Sequence, residues 1–148
     1  TRDDVFERDV RVLDERAVAP DDPQSNYGTA MKAFAGAPIP PANVHRIPAE
    51  TTPPEDGAAR YERELAACFG VAAGTPPVFD LVLLGLGPDG HTASLFPGTT
   101  ALTETTRWVT SAFVPHLATH RITLTFPAIN HAAEVLFLIV GADKAARL

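Results

Sequence analysis

One stretch of the chain concentrates residue types that do chemistry. After the apolar run Val78 to Leu84 it reads Gly85-Leu86-Gly87-Pro88-Asp89-Gly90-His91-Thr92-Ala93-Ser94-Leu95-Phe96-Pro97-Gly98. Gly85, Gly87 and Gly90 match the G-x-G-x-x-G spacing that cradles a pyrophosphate between a strand and a helix. Three features argue against that use. Pro88 lacks the N–H a phosphate would need, Asp89 sets a carboxylate beside an anionic ligand, and Pro97-Gly98 cuts the following helix short. A Walker loop is excluded by the lack of Gly-Lys-Ser/Thr. The loop offers instead an imidazole at the expected start of a short helix, where the helix dipole disfavours the imidazolium form. A neutral His91 takes a proton from water, which is general-base work. Asp89 is placed to orient the ring or to contact a substrate hydroxyl. The plainer alternative is that His91 only caps the helix.

Other reactive side chains carry weaker signals. Ser94 has no Gly-x-Ser-x-Gly elbow and is expected as an ordinary helix residue. His45, His116, His120 and His131 lack metal-ligand spacing and read as structural or surface residues; no metal site is expected. The single cysteine, Cys68, excludes an intramolecular disulfide, and its spacing places it on a buried helix face. Trp108 and the phenylalanines read as core.

The elements that must position these residues follow from periodicity. Val10 to Leu13 reads as a strand, Tyr27 to Phe34 as a short helix ended by Pro38, Pro40 and Pro41, and Asn43 to Ile47 as a short strand. Pro53-Pro54-Glu55-Asp56 opens a helix running to about Phe69, with Ala58, Tyr61, Leu65, Cys68 and Phe69 on its apolar face and Gly70 or Gly74 as its stop. Val78 to Leu84 is apolar enough for a strand covered on both faces. Trp108 to Val114 and Arg121 to Phe126 are further strands. Pro127 to Ala133 is a turn or two of helix, Val135 to Val140 a buried strand, and a terminal helix closes the order. The alternation predicts an α/β fold, a mostly parallel, Rossmann-like sheet flanked by helices, with chemistry at the strands' carboxyl ends. The loop after Leu84 lies at such an end.

Composition bounds the function. The 148 residues fit one domain, 1–148, and 45% hydrophobic content supplies a core. Twelve Lys+Arg against eighteen Asp+Glu give a net charge of −6. With no basic cluster, a nucleic-acid partner is not expected. A small anionic substrate is still possible, since one or two placed arginines decide such a site. No run approaches the roughly 20 apolar residues of a membrane span, and no signal peptide is evident, so no membrane partner and a cytoplasmic location are expected. The chain starts a few residues before its first strand and stops in the first turns of a helix, Lys144 to Leu148, so a fragment incomplete at both ends is expected.

The Gly85 to Gly98 stretch resembles the signature of the 6-phosphogluconolactonases. Glucosamine-6-phosphate deaminases share its Gly-x-Asp-Gly-His core but diverge after the histidine. Asp14-Glu15-Arg16 with Ser25-Asn26-Tyr27, His120-Arg121-Ile122-Thr123-Leu124-Thr125, and Gly141-Ala142-Asp143-Lys144-Ala145 resemble further family segments in the same order. The family's N-terminal Gly-Gly-Ser-type phosphate loop has no counterpart in these 148 residues. The resemblance implies hydrolysis of 6-phospho-D-glucono-1,5-lactone to 6-phosphogluconate, a step of the oxidative pentose phosphate pathway, without metal or organic cofactor. It implies that His91 activates the attacking water, that Arg121 faces the substrate phosphate, and that Asp14 and Arg16 lie near the substrate. Gly87 and Gly90 would let the backbone approach the sugar and supply N–H donors to the developing oxyanion. Two other readings stay open: a sugar-phosphate isomerase or deaminase on the same scaffold, and a binding remnant without turnover. The oligomeric state is not legible.

Overall fold

The longest helix, α2 (Pro54–Phe69), forms where its sequence signals lie. Pro54 starts it, Glu55 and Asp56 occupy its first turn, and Gly70 ends it at φ 61°, its N–H donating to the Ala66 carbonyl. Its inner face buries Gly57, Ala58, Tyr61 and Leu65. Gly57 permits the close approach: a Cβ there would stand 2.8 Å from the Pro48 carbonyl oxygen and 3.0 Å from Ile122 Cδ1. Cys68, expected on that face, is exposed. Near the end of the helix Ala66 and Phe69 still pack against the core, while Cys68 turns outward and the Arg11 guanidinium reaches its thiol at 2.7 Å.

This computed structural model describes residues 9–72 and 74–148. Around α2 stand β1 (Val10–Arg11), β2 (Asp14–Arg16), α1 (Asn26–Ala33), β3 (Val44–His45), β4 (Val82–Leu84), β5 (Val109–Val114), β6 (Thr119–Leu124), α3 (Phe126–Asn130) and β7 (Val135–Phe137). The α/β class holds. β1 pairs with β3 and β4 with β7 in parallel, as crossover connections require. A third, antiparallel sheet runs β2-β6-β5, with β6 in the centre. On β6, Ile122 and Leu124 enter the core beside α2; Thr123 is also buried, and its hydroxyl accepts from Ser94 N–H at 3.2 Å.

Several expected elements differ. The Val78 to Leu84 run forms a strand only over its last three residues, and it is covered on one side. Val82 and Leu84 turn inward, while Val78, Leu81 and Leu83 remain half exposed. β7, expected buried, is exposed along its length. Apolar composition alone cannot distinguish a two-sided from a one-sided strand. The end of the chain winds as a 3-10 helix, Ala142–Arg147. Trp108, Phe79 and Phe96 are core residues, but Phe113, Phe126 and Phe137 are exposed, and Phe6 lies outside the described residues. Among the described residues, no helix is long and apolar enough to cross a membrane.

Candidate active site

The loop after β4 does not enter a helix. Thr92 and Leu95 form an isolated bridge around a tight turn, with Ala93 at φ 47°. The expected helix dipole behind His91 is therefore absent, and Ser94 sits in the turn. Asp89 organises the imidazole instead. Its Oδ1 lies 2.5 Å from His91 Nδ1 and accepts the His91 backbone N–H at 3.2 Å. Burial raises the Asp89 carboxyl, but the hydrogen bonds from the His91 side chain and backbone outweigh it and hold the carboxyl below its usual range. A carboxylate on Nδ1 makes that nitrogen the donor and leaves Nε2 with its lone pair free to accept a proton.

The glycines serve the loop's own geometry. Gly90 takes φ +89°, a region other residues rarely adopt. At Gly87 a Cβ would collide with Cε1 and Nδ1 of the His91 ring. The expected donation of their N–H groups to an oxyanion is not available in this conformation. Gly87 N–H donates to the His91 carbonyl at 2.8 Å and Gly90 N–H to the Gly87 carbonyl at 3.0 Å.

On β2, side chains alternate, so Asp14 and Arg16 share one face and Glu15 takes the other. Glu15 is buried and accepts from Ser25 Oγ at 2.9 Å, Asn26 N–H at 2.7 Å and Tyr27 N–H at 2.8 Å. It thereby satisfies donors at the start of α1 that have no intrahelical partner. This anchoring places Asn26, whose Nδ2 donates to Asp14 Oδ2 at 3.1 Å while its Oδ1 accepts from Arg16 at 3.2 Å. Arg16 also donates to the Gln24 carbonyl.

The antiparallel register sets Arg16 directly opposite Arg121. Arg121 is 6% exposed, and its Nε has no hydrogen-bond partner. Burial, then the neighbouring Arg16 charge, lowers the Arg121 pKa, with Asp14 opposing. Asp14 shifts upward, chiefly by burial, against the Ser94 hydrogen bond and the Arg121 charge. Two adjacent guanidiniums, one with an unpaired buried N–H, make a receptor for a compact anion.

These residues meet in one cleft of about 520 Å³. Asp14, Arg16, Asp89, His91 and Arg121, all expected at the site, line it together. Three further residues were missed. Ser94 donates to Asp14 Oδ2 at 2.7 Å; Phe96 stacks on His91 with centroids 3.9 Å apart; His116 meets Phe96 edge-on at 5.6 Å. Ser94 and Phe96 lie inside the conspicuous loop, which was the available signal, whereas His116 follows from Pro115 in a hairpin turn that marks nothing. Among the described residues, no group of three His, Cys, Asp or Glu side chains is arranged to hold a metal ion.

Fold and cleft define an α/β protein with an oriented imidazole beside a pair of adjacent arginines. Residues 4–148 match the family model described as glucosamine-6-phosphate isomerases/6-phosphogluconolactonase. The chain is 49% identical over 132 residues to a 6-phosphogluconolactonase of Synechocystis sp., covering 88% of this chain and 54% of that protein. With the 6-phosphogluconolactonase of Rattus norvegicus it shares 44% identity over 137 residues, 91% of this chain and 52% of that one. The solved 6-phosphogluconolactonase of Thermotoga maritima superposes with a TM-score of 0.80 at 36% identity, over 94% of this chain and 60% of that one. The chain belongs to the glucosamine-6-phosphate isomerase/6-phosphogluconolactonase family. It spans about half the length of the curated relatives it matches.

Proposed function

We propose that this chain carries the catalytic cleft of a 6-phosphogluconolactonase, which hydrolyses 6-phospho-D-glucono-1,5-lactone to 6-phosphogluconate. The observation that carries the reading is the Asp89–His91 contact of 2.5 Å, which engages Nδ1 and leaves Nε2 as the ring nitrogen for chemistry in a cleft that Arg16 and Arg121 also line. Arg121, with Arg16 beside it, holds the substrate phosphate. His91 Nε2 takes a proton from water as the water oxygen bonds to the lactone carbonyl carbon. The tetrahedral intermediate then collapses, the bond from that carbon to the ring oxygen breaks, and His91 returns its proton to the departing oxygen. Asp89 keeps the ring in the required tautomer and stabilises the transient imidazolium, as a carboxylate behind a catalytic histidine does. Asp14 and Ser94 border the sugar.

The test is proton release by the purified chain supplied with freshly made 6-phosphogluconolactone, beside the His91→Ala variant and an enzyme-free control. Hydrolysis above background, falling about 100- to 10,000-fold in the variant, is expected. Equal rates in chain and variant would remove His91 from the chemistry. Turnover of an aminosugar phosphate in place of the lactone would favour the isomerase branch of the family.

A further inference from the structure

The Asp89 hydrogen bond fixes one nitrogen of His91 but leaves the ring free to tilt about that contact. Two other residues close off the tilt. On one side Phe96 lies nearly parallel to the imidazole, with centroids 3.9 Å apart and planes 24° apart. At the Cε1–Nδ1 edge of the ring, the backbone of Gly87 comes so near that not even a Cβ fits. The imidazole is thus held by Phe96 on one face and crowded by Gly87 at Cε1 and Nδ1.

Phe96 is itself immobilised. It is 4% exposed, and its carbonyl accepts from Thr99 N–H at 3.2 Å and Thr99 Oγ1 at 2.8 Å. Its ring also carries the Arg121 guanidinium at 5.9 Å, so one aromatic ring contacts both the imidazole and the buried arginine.

We propose that Phe96 is a positioning residue, which with Gly87 clamps the His91 ring plane so that Nε2 stays aimed into the cleft. The proposal rests on the reading of His91 as the base. Phe96 touches no reacting atom; it acts through His91. Because a misplacement of about 1 Å costs on the order of 100-fold in rate, loss of the clamp is felt in turnover and not in binding.

The experiment compares the chain with Phe96→Leu, Phe96→Tyr and Gly87→Ala. In the kinetic arm, Phe96→Leu lowers kcat roughly 10- to 100-fold with KM nearly unchanged, and Phe96→Tyr, which keeps the ring, restores most of it. In the second arm, nitrogen-15 NMR of the imidazole, with His91→Ala supplying the assignment, reads the ring directly. The parent chain shows one tautomer protonated at Nδ1, and both Phe96→Leu and Gly87→Ala show averaged nitrogen shifts. Gly87→Ala sets a methyl group against the His91 ring itself and so reads the Gly87 contact alone; if Phe96→Leu does not fold, Phe96→Met, which keeps bulk without a flat ring, decides the matter for Phe96. An unchanged His91 spectrum in the folded variants overturns the clamp, as does a full kcat in Phe96→Leu. If the parent chain shows no lactone hydrolysis, the functional reading falls while the spectra still judge the clamp.

Discussion

Arg16 and Arg121 face one another across the β2·β6 pair, and like charges directly opposed in a sheet repel. The Asp14 charge opposes that repulsion at Arg121, and a bound anion would relieve the rest. Arg121→Ala is therefore expected to raise KM for the phosphorylated lactone by roughly 30- to 150-fold, the equivalent of about 2–3 kcal/mol for charge-assisted bonds to phosphate. The unphosphorylated lactone should lose far less; equal losses would show that Arg121 does not hold the phosphate. Asp14 gives a prediction of the opposite kind. Its carboxyl is raised in the folded state by burial, so the folded protein binds a proton more tightly at Asp14 than the unfolded chain does. Its contribution is complete below the ordinary carboxylate range and is lost as pH rises through the elevated value. Asp14→Asn, which keeps an acceptor for Ser94 and Asn26 without the charge, should accordingly raise the thermal midpoint near neutral pH, a gain that vanishes in acid. A lower midpoint at neutral pH would mean that the Arg121 pairing outweighs desolvation. The variant should lose activity, since stability and function pull apart at such a residue.

At the level of elements, one buried carboxylate joins two of them. Glu15 on β2 receives three donors from Ser25, Asn26 and Tyr27, so the start of α1 is tied to the strand that carries Asp14 and Arg16. Glu15→Ala leaves those donors buried without an acceptor and should cost about 2–4 kcal/mol in denaturant unfolding. Glu15→Gln, which retains one acceptor oxygen, should cost less. A cost for Glu15→Ala below about 1 kcal/mol would show that water takes over the role. The same strand shows what the sequence conceals. α2 was legible because a proline start, an acidic first turn, an apolar stripe and a glycine stop all agree. β2 was not, because three alternating polar residues carry no hydrophobic period, and only its pairing with β6 makes it a strand. The helix after the glycine loop failed for a related reason: Thr92 to Leu95 closes on itself as a turn, and propensity gave no warning. Within the site, Asp89 and His91 are two residues apart and could be paired by inspection. Ser94 and Asp14 are 80 residues apart, and only the sheet brings them together.

Over the whole molecule, the uncovered surface is concentrated rather than scattered. β4 and β7 pair in parallel with Leu83 opposite Leu136, and each of these is 50% exposed. Leu81 and Leu138, two residues along from Leu83 and Leu136 and so on the same face, extend this apolar surface with exposures of 53% and 58%. Isolated exposed leucines are ordinary, but a run of them along two neighbouring strands forms the kind of patch that drives association. The net charge of −6 opposes contact between copies over the molecule as a whole, yet Debye screening at physiological salt confines that repulsion to about 8 Å. The patch should therefore prevail as concentration rises, and sedimentation velocity should show reversible self-association of the purified chain. Combining Leu83→Lys with Leu136→Glu sets opposite charges side by side in register, so the sheet pairing survives while the apolar surface is interrupted. That double variant should sediment as a monomer with its thermal midpoint little changed, because half-exposed side chains contribute modestly to the core. A parent chain that stays monomeric at every concentration would show that this face is inert. Association that persists in the double variant would move the contact to another surface.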